Sequence, residues 1–155
     1  MKPGNIFMRW GAQLTFERPV RNLSLELLIS ELNQSTMEMT EHLDHSSDSP
    51  GNRRQLSHMV GIERWGQRRL RVALGEPFLS EEYDHYRPSV ERSWDELKSE
   101  WMATRQATLA LANDLSRLGD SPEFKVIHNM YGSLSIKAWL RYLDVHTSSE
   151  AKHIT

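Results

Sequence analysis

Residues 133–154 read SLSIKAWLRYLDVHTSSEAKHI, and this stretch combines an apolar helical pattern with three potential ligand side chains. The apolar residues that recur at steps of three and four are Ile136, Trp139, Leu140 and Leu143. Such spacing places side chains on one face of a helix. The same count continues to His146, Glu150 and His153. The stretch therefore predicts a helix whose buried face ends in side chains that can bind an ion or a proton.

His146 and Glu150 are four residues apart, so on an unbroken helix their heads lie one turn apart and can converge on one ion. Two ligands are too few for a metal site, and a third must come from another part of the chain. The alternative is that the helix ends at His146, because the next three residues, 147–149, are Thr-Ser-Ser and poor helix formers. A polar tail would then follow. The residues alone leave both interpretations open.

Length and composition predict one globular domain in the cytoplasm. A chain of 155 residues is long enough for one well-buried core, and its 38% hydrophobic and 26% charged residues are typical of a soluble protein. No run approaches a membrane span, and the first ten residues lack the apolar segment of a signal peptide. A net charge of −2 gives no general attraction to nucleic acid or an anionic membrane.

The absence of cysteine restricts the chemistry of any site. Disulfides, thiolate metal ligands and a cysteine nucleophile are all excluded. A metal site must therefore use nitrogen and oxygen donors, which suit a divalent zinc, nickel, iron or manganese ion. Sequence cannot choose among these ions.

Residues 1–21 are expected to form an N-terminal arm that precedes a helical domain at residues 22–155. Several large apolar residues of the arm follow no clear period, and Arg18-Pro19 closes it. We therefore predict an extended arm or a short strand. Its apolar side chains need cover, so the arm either packs across the helices or reaches a partner subunit.

The remaining chain predicts four long helices and one short one. We expect long helices from Asn22 into the polar stretch 44–52, over 53–74, over 90–118, and from Ser133 or Ser135 onward. The third has a heptad pattern typical of nearly antiparallel bundle helices, with Ser93 and Ser89 as competing caps. A short helix is predicted through His128, with Ser121 as its cap and Pro122 at its first position.

The second helix contains the best candidate for a further ligand. His58 shares its apolar face, although a lone inward histidine is usually a core residue. Glu63 and Arg69 lie within or beside that face, and either would need a partner if buried. Arginines at 53, 54, 64, 68, 69 and 71 raise the alternative of nucleic-acid binding, but the absence of alternating aromatic residues favours a solvated or salt-bridged face. His42, His45 and His128 are not expected to bind metal.

The long connection at residues 76–89 is a candidate part of the site. An irregular segment of this length is uncommon in a small domain unless it covers or forms a site. Tyr83, His85 and Tyr86 make it a candidate lid. The alternative is a crossover that only spans the bundle.

Two segments resemble the DinB-like family, also called DinB/YfiT-like. They are LSHMVGIERWGQRRL at residues 56–70 and HNMYGSLSIKAWLRYLDVH at 128–146, the latter leading into His146-Thr-Ser-Ser-Glu150. The resemblance covers roughly residues 22–154. It implies an all-α four-helix bundle of up-down-down-up order with a long crossover connection.

The resemblance also implies a divalent metal held by a histidine of the second helix and by a His-x3-His pair of the fourth. Carried over, these ligands fall on His58, His146 and Glu150, where Glu150 departs from the usual histidine. His153 occupies a place where the family often has glutamine and is the alternative third ligand. The departure has two interpretations. Two histidines and a glutamate are a known set of zinc ligands, so the site could be retained, or the replacement could mark a site that has lost its metal or changed it.

The implied activity is that of a metal-dependent enzyme acting on a small molecule, either a thiol-dependent S-transferase or a hydrolase. Since the chain has no cysteine, a low-molecular-weight thiol would be a cosubstrate. The family also implies a homodimer and a link to stress responses. The alternative function is a catalytically inactive helical module for dimerisation or interaction.

Overall fold

The computed structural model describes residues 6–119 and 124–155 and is mostly helical, with one small two-stranded sheet. The helices are α1 (Ile6–Ala12), α2 (Leu25–His45), α3 (Pro50–Leu70), α4 (Trp94–Ser116) and α5 (Ile136–Ala151). The antiparallel strands are β1 (Lys125–His128) and β2 (Gly132–Ser135). Single 3₁₀ turns occupy Arg71–Leu74 and Tyr83–Tyr86. No helix of the described residues is long and apolar enough to cross a membrane.

The N-terminal arm is helical, so the prediction of an extended arm was wrong. A π-helical segment, Gln13–Glu17, and a helical turn, Arg18–Val20, continue α1. The buried positions are Ala12, Phe16 and Val20, which follow a four-residue step. The period was missed because Ala12 is small and Arg18-Pro19 suggested a break, whereas proline is tolerated in the first turn of a helix. The buried face packs across the helices, as one of the two alternatives predicted, since Phe16 contacts Tyr142 with ring centroids 5.6 Å apart.

Serine caps fix where the four long helices begin. The hydroxyls of Ser24, Ser49, Ser93 and Ser135 accept hydrogen bonds from the first turns of α2, α3, α4 and α5. The predicted starts near residues 22, 53 and 90 were therefore a few residues off. Ser93 forms a complete capping box, and Ser135 rather than Ser133 begins α5.

The four long helices pack in a closed ring of pairwise contacts. Helix α3 lies against both α4 and α5, and α2 also lies against α4 and α5. The predicted heptad face of α4 is buried from Trp94 to Leu115, whereas Leu118 lies beyond the helix and is exposed. This packing places α3 beside α5, which carry the candidate ligands.

The predicted short helix before α5 was wrong over its described part. Residues 125–128 form strand β1, and the expected cap Ser121 and first residue Pro122 lie outside the described residues. Val126 and His128 are buried while Lys125 is exposed, which is the two-residue alternation of a strand. Gly132 has a φ of 78°, a left-handed conformation that closes the hairpin and favours glycine. The chain is thus not purely α-helical.

Candidate metal centre

Helix α5 continues unbroken past both of its candidate ligands. It ends at Ala151, so His146 and Glu150 lie on consecutive turns, and the alternative in which the helix ends at His146 was wrong. Thr147 is buried and its hydroxyl accepts a hydrogen bond from Arg105 at 2.5 Å. A tertiary contact therefore stabilises a segment whose local helix propensity is low.

His58, His146 and Glu150 converge at the contact between α3 and α5. One ligand atom from each residue lies within 4.8 Å of those of the other two, and the two imidazole centroids are 5.2 Å apart. His146 Nε2 and Glu150 Oε1 are 3.9 Å apart, too far for a hydrogen bond. Two donors bound to one tetrahedral zinc at about 2.1 Å lie roughly 3.4 Å apart, so small side-chain shifts would close the set on an ion. This group can hold a divalent metal ion.

His153 does not join this group. It lies in the turn that follows α5, and its side chain is exposed. Its backbone N–H donates to the Glu150 carbonyl at 3.0 Å. The residue thus caps the last turn rather than facing His58.

The environment keeps both imidazoles in the form that binds metal. Burial, reinforced by the charge of His58, lowers the pKa of His146 to about 4, while Glu150 opposes the shift. Burial is also the main cause that lowers the pKa of His58, with Glu150 opposing and Arg87 reinforcing it. At neutral pH both rings are uncharged, so their nitrogen lone pairs are available.

Gln55 orients the carboxylate of the group and was not predicted from the sequence. Its side-chain amide donates to Glu150 Oε2, which leaves Oε1 on the side of His146. Gln55 lies three residues before His58 on α3, so both side chains project from one helix face. The three-residue spacing could have placed Gln55 on the same face as His58. No local pattern, however, indicates that a glutamine contacts a ligand on another helix.

The long connection lies along α3 and contacts the site, as expected of a covering segment. The ring of Tyr83 packs edge-on against His58 with centroids 5.1 Å apart. Two hydrogen bonds anchor the connection on either side, from Ser57 Oγ to the Pro88 carbonyl at 2.7 Å and from Trp65 Nε1 to the Glu81 carbonyl at 3.0 Å. His85, in contrast, is exposed.

A fully buried ion pair lies beside the candidate ligands. Arg105 Nε is 2.9 Å from Glu63 Oε1, and both side chains are almost inaccessible to solvent. The Thr108 hydroxyl also donates to Glu63, at 2.7 Å. Burial raises the pKa of Glu63, and Arg105 and Thr108 oppose that rise. Because Arg105 also bonds Thr147, the pair joins α3, α4 and α5 next to His146.

Four of the six arginines in and just after the second helix have partners, which favours the salt-bridged interpretation of this face. Arg53 pairs with Asp48, Arg64 with Glu100, and Arg68 with Glu76. Arg69 is buried between the rings of Trp65 and Phe78, with its guanidinium 5.0 and 4.5 Å from their centroids.

Three of the other histidines make hydrogen bonds to the backbone. His42 and His45 each bond a backbone carbonyl, those of Ile154 and Glu41. His128 Nδ1 accepts hydrogen bonds from the backbone N–H groups of Met130 and Tyr131, in the turn between the two strands. None of the three belongs to the ligand group found among the described residues.

The chain has no significant match among protein-family models, curated proteins or solved structures. The resemblance to the DinB-like family thus stays a prediction. The fit of the group to a metal rests on its own chemistry, since two neutral imidazoles and one carboxylate are a donor set that zinc and non-haem iron both accept.

Proposed function

We propose that the protein is a cytoplasmic, divalent-metal-dependent enzyme of the DinB-like kind that acts on a small molecule as a thiol-dependent S-transferase or a hydrolase. The observation that carries the proposal is the convergence of His58, His146 and Glu150 from two helices. The closed ring of contacts among α2, α3, α4 and α5 supports a four-helix bundle as its architecture. Zinc, nickel, iron and manganese all suit the donors.

The arrangement has the composition of a catalytic rather than a purely structural metal site. Three protein ligands leave at least one coordination position for water or substrate. When bound, a divalent ion supplies Lewis acidity and lowers the pKa of a coordinated water or thiol. The side chains of His146 and Glu150 are 15% and 26% exposed, so small molecules can approach from the solvent side. A thiol would have to come from a cosubstrate.

The protein's own residues set up this chemistry. His58 and His146 are neutral donors, and Gln55 fixes which carboxylate oxygen of Glu150 faces them. The Tyr83 ring packs edge-on against His58 and covers one side of its imidazole. These contacts orient the donors before an ion arrives, which reduces the cost of ordering them.

Elemental analysis of untagged protein tests the proposal. We expect one divalent ion per chain in the wild type and almost none in His58→Ala or His146→Ala. Glu150→His should retain the ion, because it restores the His-x3-His pair. His45→Ala, on the exposed end of α2, is the matched control and should keep full metal content. A wild type without metal after incubation with all four ions would overturn the proposal.

A second candidate function, a dimerisation or interaction module, is favoured by one surface of α1 and its continuation. Phe7, Trp10 and Leu14 follow steps of three and four residues and are 79%, 72% and 52% exposed. Apolar rows of this kind mark interaction sites. Light scattering should show a homodimer that Trp10→Ser with Leu14→Ser converts to a monomer. Full metal content in that monomer would separate assembly from the metal site.

A further inference from the structure

Gly61 forms a gap in α3 that the long connection fills. A Cβ atom at Gly61 would lie 2.4 Å from Arg87 Cγ and 3.2 Å from the Tyr83 carbonyl oxygen. Cβ atoms in proteins essentially never make a contact as short as the one with Arg87 Cγ, so any side chain here would displace Arg87. The missing side chain therefore allows Arg87 to lie directly on the helix, one turn beyond His58.

Arg87 runs alongside His58. Its Cγ lies at Gly61, and its Nη2 donates to the Arg54 carbonyl at 3.3 Å. Positions 54, 58 and 61 are separated by four and three residues, so they share one face of α3. The side chain of Arg87 therefore spans the face of α3 that carries His58.

The present contacts of the guanidinium are long and exchangeable. Arg87 Nη1 is 3.5 Å from Asp84 Oδ1, and the Asp84 side chain is 64% exposed. Exposed ion pairs at such distances contribute little stability. A stronger oxyanion partner could therefore replace Asp84 and leave it in solvent.

The charges at this site favour an anion. An imidazole that ligates a metal is neutral, so Glu150 alone would offset only half of the charge of a divalent ion. The guanidinium of Arg87 adds a further positive charge and a fork of donors suited to carboxylate or phosphoryl oxygens. We infer that Arg87, seated in the Gly61 gap, is a specificity-determining residue that binds an oxyanion group of the substrate. This inference rests on the proposed metal-dependent function.

Cobalt-substituted full-length protein provides the test. Acetate and its neutral counterpart acetamide are titrated at constant ionic strength, and binding is followed by the visible absorption of the bound Co²⁺. Loss of one charge-assisted hydrogen bond predicts that Arg87→Gln raises the acetate Kd at least about tenfold without changing Co²⁺ affinity. Acetamide binding should be the same in both proteins.

Three further variants sharpen the result. Gly61→Ala should weaken acetate binding in the same way, because its Cβ displaces Arg87. Arg87→Lys should fall between the wild type and Arg87→Gln, since it keeps the charge and loses the fork. Arg71→Gln removes one charge from the exposed 3₁₀ turn at the far end of α3 and should bind acetate like the wild type.

The outcomes separate the inference from the function on which it rests. An unchanged acetate Kd in Arg87→Gln, with a normal Co²⁺ spectrum, overturns the inference and leaves the metal site intact. A Co²⁺ spectrum that is identical in wild type and His146→Ala overturns the metal site and the inference together.

Discussion

Gln55 is the residue on which the orientation of the Glu150 carboxylate depends. Removing its amide donor in Gln55→Leu frees the carboxylate to rotate, and the loss of such a supporting hydrogen bond weakens metal affinity roughly tenfold to a hundredfold. We therefore expect a zinc Kd at least about ten times that of the wild type, measured by competition with a chromophoric chelator.

The control for this variant is Gln106→Leu on the exposed face of α4. It makes the same chemical change away from the site and should leave the Kd unaltered. Equal affinities for Gln55→Leu and the wild type would show that the carboxylate is held by other contacts.

His128 is the residue expected to dominate acid sensitivity outside the candidate metal centre. It is 5% exposed, and burial, reinforced by the charges of Arg69 and His146, lowers its pKa to about 3. Between that value and its ordinary value of 6.5 the unfolded chain binds more protons. Its contribution to stability is therefore complete above pH 6.5 and falls by up to about 1.4 kcal/mol per pH unit towards pH 3.

His128→Asn tests this sign in metal-free protein. Its amide oxygen can accept the hydrogen bonds that the imidazole receives from Met130 and Tyr131. We expect the free energy of unfolding in urea to fall less between pH 6.5 and 4.5 in the variant, by about 2 kcal/mol. His153→Asn, at an exposed position, should follow the wild type. Parallel curves for His128→Asn and wild type would refute the assignment.

At the scale of elements, helix α4 depends on its capping box. The Ser93 hydroxyl accepts from the Glu96 N–H at 3.2 Å, and the Glu96 carboxylate accepts from the Ser93 N–H at 2.8 Å. Ser93→Ala should lower the free energy of unfolding by about 1 kcal/mol, measured by urea denaturation. Ser89→Ala, which removes the competing cap outside the helix, should change it by less than about 0.5 kcal/mol. The reverse order of the two effects would place the functional cap at Ser89.

At the scale of the whole molecule, the proposed metal binding should be coupled to the docking of α3 on α5. Because the ligands meet only in the folded chain, an ion at a hundred times its Kd should raise the free energy of unfolding by about 2.7 kcal/mol. Urea unfolding with zinc and with a chelator measures this increment. His146→Ala should show none, and an equal increment in that variant would place the ion elsewhere.

Much of the architecture could be predicted because local periodicity reports burial directly. The seam of α4 and the apolar face of α5 are buried where the three- and four-residue steps placed them. The helical arm was missed because the small residue Ala12 weakens its apolar period. The β-hairpin was missed because Val126 and His128 give only a short alternation, whereas Pro122 suggested the start of a helix.

The sequence by itself determined the four long helices, the single-turn spacing of His146 and Glu150, and a donor set without sulfur. Only the tertiary structure decided that α5 runs on past residue 146, that His58 meets the pair, and that Gln55, Tyr83 and Arg87 surround them. The physical reason is that helical spacing is a property of neighbouring residues. Which faces meet depends instead on packing between segments far apart in the chain, such as Arg105 with Thr147.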